Sequence, residues 1–275
     1  MLRPTYRSHA GESFFGKGFV MDKKQKLINQ LLETKNCPGC DFSGIELGSM
    51  RVKGTPRIEI DLEGANLKGA TFRGARLMNI NFKGANLEGV DFGEAGFFIQ
   101  TTYFDHANLR GASFQGVWSF SGTSSFEEGI STSFRNADLE GANLKGIKTY
   151  SCFTGASLVS ANLESAKISD AERADLRGAN LRGCKITHGR LEHSDLRGVT
   201  FDNCDLRGSH LNGARFYSSE LVLANIERIT IDEGQFDKTF TQHGYRLIKS
   251  GYSGYNFYIE HDRRNTFEKI FCPWV

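Results

Sequence analysis

Large apolar residues recur every five positions through the second half of this 275-residue chain. Leu176, Leu181, Ile186, Leu191, Leu196, Phe201, Leu206, Leu211, Phe216, Leu221, Ile226, Ile231 and Phe236 stand in unbroken register. Two positions before them come small or modest side chains, among them Ala174, Ala179, Cys184, Ser194, Val199, Cys204, Ala214, Ala224 and Ile229. Each quintet therefore sends two residues inward. Five is neither the period of a strand nor that of a helix, so the chain has to turn every five residues. A segment this short cannot hide one apolar residue alone, and stacking coils on one another builds a continuous core. The pattern predicts an all-β solenoid.

The quintets resemble those of the pentapeptide-repeat proteins, which read A-(D/N)-L-x-x. Ala65-Asn66-Leu67-Lys68-Gly69, Ala85-Asn86-Leu87-Glu88-Gly89, Ala137-Asp138-Leu139-Glu140-Gly141, Ala142-Asn143-Leu144-Lys145-Gly146 and Ala179-Asn180-Leu181-Arg182-Gly183 match throughout. The resemblance covers residues 40–238. It implies a right-handed quadrilateral β-helix with four quintets per coil and coils ~4.8 Å apart.

Upstream, one phase runs from Phe42 through Leu47, Val52, Leu62, Leu67, Phe72, Leu77, Phe82, Leu87 and Phe92 to Phe97, with Arg57 as a misfit. Three shifts follow: two extra residues near Ile99 to Thr101, one lost between Thr149 and Phe153, and three gained around Ser169 to Arg173. Residues 119–131 lose the consensus, although Phe114 and Phe134 stand twenty residues apart, the length of one coil. Either a degenerate coil passes here with Ser119, Ser124 and Gly129 at its centres, or a loop keeps phase. A distorted coil with an excursion is expected. The steps add up to nearly ten coils, a rod ~45 to 50 Å long.

A solenoid exposes unpaired backbone and apolar core at both ends, so it needs covers. Asp22 to Thr34 predicts a short capping helix with Asp22 as N-cap and Leu27, Ile28, Leu31 and Leu32 on one face, closing a leader of residues 1–39. The stretch Asn36-Cys37-Pro38-Gly39-Cys40 after it resembles the start of family members common in photosynthetic bacteria. Past Asp237 the quintet stops. Phe240, Tyr245, Tyr252, Tyr255, Phe257, Tyr258, Phe267, Phe271 and Trp274 make residues 239–275 a separate, aromatic-rich C-terminal cap or extension. With Arg246, Lys249, Arg263, Arg264 and Lys269 interleaved, the same stretch could stack on single-stranded nucleic acid, but the interleaving is irregular.

Lys plus Arg number 34 against 32 Asp plus Glu, a balance that demands neither nucleic acid nor a membrane. No apolar run suits a signal peptide or a membrane span, and a cytoplasmic location is expected. Of the six cysteines, Cys37-x-x-Cys40 has redox-motif spacing. Cys40, Cys184 and Cys204, however, fall on the inward small site, where a free thiol acts as a small apolar group. No redox or metal function is therefore expected of Cys37 and Cys40. Cys184 and Cys204, one coil apart with parallel side chains, suit a disulfide poorly, because its Cβ atoms approach to ~3.8 Å.

Catalytic signals are thin. Gly11-Glu12-Ser13-Phe14-Phe15-Gly16-Lys17-Gly18 nearly spells a phosphate-binding loop, but Gly18 stands where Ser or Thr belongs. His188, His193 and His210 read as scattered surface residues. Asp138, Asp175, Asp195 and Asp205 occupy the repeat's own Asp/Asn position, which explains them structurally. No catalytic residue, metal or cofactor is expected.

The candidate binding feature is an outward apolar column. Ile58, Met78, Phe98 and Phe120 take the position after the centre on one side of four successive coils, and Pro56 and Trp118 precede the centre on that side. Equivalent positions elsewhere carry Glu63 and Lys83, Lys68 and Glu88, or Lys53 and Arg73. Such a patch needs a cover, either this chain's own segments or another protein, a second copy included. The expected function is a non-enzymatic protein-interaction scaffold. The alternative is mimicry of duplex DNA, since some family members bind DNA gyrase and protect it from toxins or quinolones. Arg177, Arg182, Arg197 and Arg207 on the outer faces speak against that alternative.

Overall fold

The computed structural model describes residues 23–47, 60–77, 80–93, 102–117, 132–147, 152–249 and 257–261. The chain winds into a four-sided parallel β-helix whose rungs are single bridges or two-residue strands. Face I is the ladder Asn36, Asn66, Asn86, Asn108, Asp138, Ser157, Asp175, Asp195 and Arg215. Face II runs from Asp41 through Thr71, Asp91, Ser113, Asn143 and Asn162 to Asn180 and Thr200. Face III begins with β1 (Glu46–Leu47) pairing with β3 (Arg76–Leu77) and ends with Lys167, Lys185, Asp205 and Asn225. Face IV starts from β2 (Ile60–Asp61) and β4 (Ile80–Asn81) and climbs through Tyr103, Ser133, Cys152, Asp170 and Arg190 to His210 and Thr230.

The quintet Ala85 to Gly89 shows why this sequence makes this turn. The Ala85 N–H closes the preceding turn on Phe82 O (3.0 Å), Asn86 donates down to Ala65 O (2.8 Å), and Leu87 donates up to Asn108 O (2.7 Å). Glu88 donates to the Asn86 side chain (3.3 Å) and Gly89 donates up to Arg110 O (2.9 Å). Every backbone donor has a partner, which buried backbone requires. The Asn or Asp position thus supplies the acceptor for the turn's one remaining N–H. The Gly position is left-handed, φ +65° at Gly89, where a Cβ would cost energy.

Inside, the central residues stack. Phe42, Phe72, Phe92 and Phe114 form one column on face II, with centroids 5.0, 5.4 and 4.7 Å apart. Phe82, Phe104, Phe134 and Phe153 form another on face IV at 5.3, 5.0 and 5.0 Å. The columns meet edge to face across the core, as for Phe104 and Phe114 at 5.8 Å. Higher up, Leu144, Leu163, Leu181, Leu191 and Leu211 take over, all fully buried. Each such side chain contributes roughly 1.5–3 kcal/mol by leaving water.

The ladders correct the coil arithmetic. Phe134 stacks on Phe104, not one coil above Phe114, so the coil from Asn108 to Asp138 takes thirty residues. The coil from Asn36 to Asn66 also takes thirty. Its ten extra residues are a multiple of five, so the excursion keeps phase and was invisible in the sequence pattern. Among the described residues face I therefore holds nine rungs, fewer than the nearly ten coils expected, and its eight steps of ~4.8 Å give a ladder about 38 Å long. Asn86 to Asn108 spans twenty-two residues, the expected two extra, and Asp138 to Ser157 spans nineteen, the expected one lost. Near Ser169 the change is opposite to expectation: Ala171 is the central residue on face IV, only three positions after Ile168, so the corner is shortened.

At the N-terminal end, α1 (Lys23–Thr34) packs Ile28 and Leu31 into the core, with Leu27 and Leu32 partly buried. The expected N-cap Asp22 lies outside the described residues. At the other end face II stops where α2 (Ser218–Leu221) replaces a rung. β5 (Thr230–Ile231) closes face IV, α3 (Lys238–Gln242) buries Phe240, and β6 (Tyr245–Lys249) pairs antiparallel with β7 (Phe257–His261). β7 also pairs antiparallel with β5, so this hairpin continues the sheet of face IV.

Candidate functional site

The outward apolar column, Pro56, Ile58, Met78, Phe98, Trp118 and Phe120, lies outside the described residues. So does the near phosphate-loop of residues 11–18. In chain order, all six column residues fall between a face II rung and the next face IV rung. The other outward positions are described, and their chemistry is repetitive.

Charges alternate from coil to coil. Lys68 meets Glu88 at 3.0 Å, Arg73 meets Asp91 at 3.0 Å, Lys145 meets Glu164 at 3.0 Å and Arg182 meets Asp202 at 2.7 Å. Arg110 bridges Asp138 and Glu140, and Arg190 joins Asp170 and Glu172. Within quintets, Arg177, Arg197 and Arg207 clasp Asp175, Asp195 and Asp205 two positions earlier. The clasp holds each of these carboxyls below its ordinary pKa of 3.8, because the guanidinium donates to the ionised form. The same carboxylates accept the backbone N–H of their arginines, at 3.2 Å for Arg177, and so serve the turn before any acid–base role.

The cysteines depart from expectation at one point. Cys37 and Cys40 form a disulfide with Cα atoms 5.5 Å apart. The geometry of the repeat accounts for it: a centre and the next small site are the two ends of one turn, closed here by Cys40 N–H to Cys37 O (3.3 Å), and both point inward. Cys184 and Cys204 remain free and buried, as their stacking implied. A hydrogen bond with Cys184, and then burial, push the Cys204 thiol far above its ordinary range, so it stays protonated.

The histidines are less scattered than expected. His188 and His193 sit at left-handed corners, φ +55° and +60°, each leaning over a glycine of the next coil, Gly208 and Gly213. His188 and His210 line one groove, and His193 stands apart from it. In the C-terminal hairpin Arg246 is tied to Glu260 at 3.0 Å, and Tyr245 is half-buried, which raises its phenol pKa. Tyr252, Tyr255, Arg263, Arg264, Phe267, Lys269, Phe271 and Trp274 lie outside the described residues. Sequence reading missed Tyr217 and Leu223, exposed at 54% and 57% on either side of α2. Both stand at outward positions of the five-residue pattern, Tyr217 just after the centre Phe216 and Leu223 just before the small site Ala224. Among the described residues no helix is long and apolar enough to cross a membrane, and no cluster of His, Cys, Asp or Glu is placed to hold a metal.

Comparison with known proteins places this geometry. The family model for pentapeptide repeats matches eight copies, at residues 59–95, 174–213 and 190–229. Comparison with curated proteins finds no match. Among solved structures, the chain is similar to HetL, a pentapeptide repeat protein involved in heterocyst differentiation regulation from the cyanobacterium Nostoc sp. strain PCC 7120, at 21% identity. That alignment covers 79% of this chain and 100% of HetL with a TM-score of 0.45. Full-length QnrB1, a plasmid-mediated fluoroquinolone resistance protein, aligns at 19% identity over 73% of this chain and 95% of its own, with a TM-score of 0.29. Rfr23 from the cyanobacterium Cyanothece 51142 aligns at 18% identity over 69% and 92%, with a TM-score of 0.15.

Proposed function

We propose that this chain, which carries pentapeptide repeats at residues 59–95 and 174–229, is a non-enzymatic scaffold that binds a protein partner through a face of its solenoid. The coil-to-coil pairing of opposite charges carries the reading. Lys68 with Glu88, Arg73 with Asp91 and Arg182 with Asp202 neutralise neighbouring rows, leaving long faces of mixed charge. A duplex mimic needs rows of uncompensated acid, and the described faces instead interleave arginine throughout. That weighs against mimicry of DNA towards gyrase. Protein contacts suit such a rod: its outward residues repeat at fixed spacing, and Tyr217 and Leu223 offer exposed apolar anchors.

The test uses the full chain as bait in a lysate, alongside light scattering. Native chain is compared with Met78→Glu/Phe98→Glu and with Tyr217→Ala/Leu223→Ala, all confirmed as folded by circular dichroism. Capture or self-association lost in one variant identifies the working surface. Capture of gyrase that is abolished by neutralising acidic positions would replace the proposal with mimicry. The proposed location is the cytoplasm, where a reducing medium would hold Cys37 and Cys40 as thiols. Alkylation of the chain in fresh extract, read by mass, tests that placement.

A further inference from the structure

We propose that the C-terminal end of the corner between faces III and IV is a binding site for a multiply charged, phosphate-bearing anion. A groove of about 970 Å³ opens there. One wall is a corner column spanning three coils: His188, Gly208 and Arg228, all left-handed, at φ +55°, +69° and +60°. Gly208 leaves the middle of the column without a side chain, and the His188 ring occupies the space where its Cβ would be. Lys249 and Tyr258 of the hairpin complete the lining, Tyr258 beside Thr230 in the antiparallel pairing of β7 with β5. His210 and Thr230 continue the lining on face IV, joined through His210 Nδ1 and Thr230 Oγ1 at 3.1 Å.

Two cations of this corner, one of them an arginine, stand outside the ion pairs of the faces. Along the faces an arginine is typically committed to a carboxylate, and Arg207 at the groove's edge follows suit, held by Asp205 at 2.9 and 2.7 Å. Arg228 and Lys249 do not: neither makes a salt bridge among the described residues, and the Arg228 guanidinium lies 5.7 Å over the Tyr258 ring. Glu227 is the carboxylate of the lining, and its Oε2 already accepts the His261 N–H at 3.2 Å. With Asp205 counted, the groove keeps a surplus of positive charge, since Arg207, Arg228 and Lys249 face Asp205 and Glu227. Guanidinium, ammonium, imidazole and the Thr187 hydroxyl line the groove as a polar set that matches phosphate oxygens, while the Thr230 hydroxyl is committed to Asn212 Oδ1 at 2.7 Å. An apolar ligand would have to desolvate two cations without pairing them. A multiply charged anion pairs both.

This site is independent of the scaffold reading and is tested separately. Calorimetric titration of the full chain with tripolyphosphate should show saturable 1:1 binding. Arg228→Gln/Lys249→Gln, with an unchanged melting curve, should weaken it at least tenfold. Arg177→Gln/Arg182→Gln, on faces I and II, should change it less than twofold. Tighter binding of ATP than of tripolyphosphate would assign the ligand to nucleotides, and the reverse to inorganic polyphosphate; both support the site. Absence of saturation, or equal losses in the two variants, would overturn it, the latter by showing diffuse attraction to surface charge.

Discussion

Replacing Phe104 with alanine tests whether the aromatic columns hold the rod together. Phe104 is fully buried and touches four rings: Phe82 and Phe134 stacked at 5.3 and 5.0 Å, Phe92 and Phe114 edge-on, each at 5.8 Å. A buried Phe→Ala change costs about 3–5 kcal/mol from lost transfer energy and the cavity left behind. Ring pairs add about 0.5–1.5 kcal/mol each beyond burial, which places Phe104 at the top of that range. Phe201 is the internal control, 1% exposed and without a ring contact among the described residues. Phe201→Ala should fall near ~3 kcal/mol and Phe104→Ala near ~5 kcal/mol. For a chain of this size that corresponds to losses of roughly 6–12 °C and 10–20 °C in melting temperature. Urea unfolding followed by far-ultraviolet circular dichroism gives both values. Equal costs for the two variants, or a Phe104→Ala cost below ~2 kcal/mol, would refute both the ring ladder and the placement of Phe134 directly above Phe104.

Three further outcomes are expected. Gly64→Ala, at φ +68° with open space around it, should cost about 1 kcal/mol by thermal melting, whereas Gly213→Ala should cost more because a Cβ there collides with the His193 ring, and His193→Ala should restore the difference. Reducing the Cys37–Cys40 bridge, which closes a loop of only four residues, should remove roughly 2 kcal/mol on a chain-entropy estimate; hydrogen exchange should show the loss confined to α1 and the first coil. Asp175, Asp195 and Asp205 titrate below their ordinary 3.8 when folded, so their contribution is complete above that value and is lost as pH falls through it towards the folded pKa. Acid melts should therefore steepen below about pH 4, and the triple change of Arg177, Arg197 and Arg207 to Gln should flatten that limb.

The inward positions were legible because one buried residue per five leaves a rhythm that substitution cannot blur: Leu67, Phe82, Leu181 and Phe201 are all buried where the period put them. Rhythm alone cannot count coils. A ten-residue excursion returns the chain to the same phase, so Phe42 and Phe72 read as six quintets on a regular path although they stack directly at 5.0 Å. Ala171 was missed because a small central residue looks like a gap, and the shortened corner before it then reads as an insertion. The Cys37–Cys40 pair was misjudged by comparing cysteines between coils, when the closest inward neighbours are the two ends of one turn. The groove was not legible because Lys249 and Tyr258 reach it through antiparallel pairing of a segment that has left the period.

The steps from face IV to face I, and from face I to face II, are five residues at each bridged level, as from Asp61 to Asn66 to Thr71 and from Arg190 to Asp195 to Thr200. From face II to face IV the span is eight residues from Asn162 to Asp170, nine from Asn143 to Cys152, twelve from Asp91 to Tyr103, and twenty from Ser113 to Ser133. Tolerance of length change is therefore directional. A single residue added between Ala156 and Leu158 would swing every later side chain of that coil out of phase, turning leucines to water. A guest peptide spliced between Ile147 and Cys152 would leave the other three sides as they are, so inheritance and engineering alike can lengthen this protein along one seam while the rest accepts only substitution.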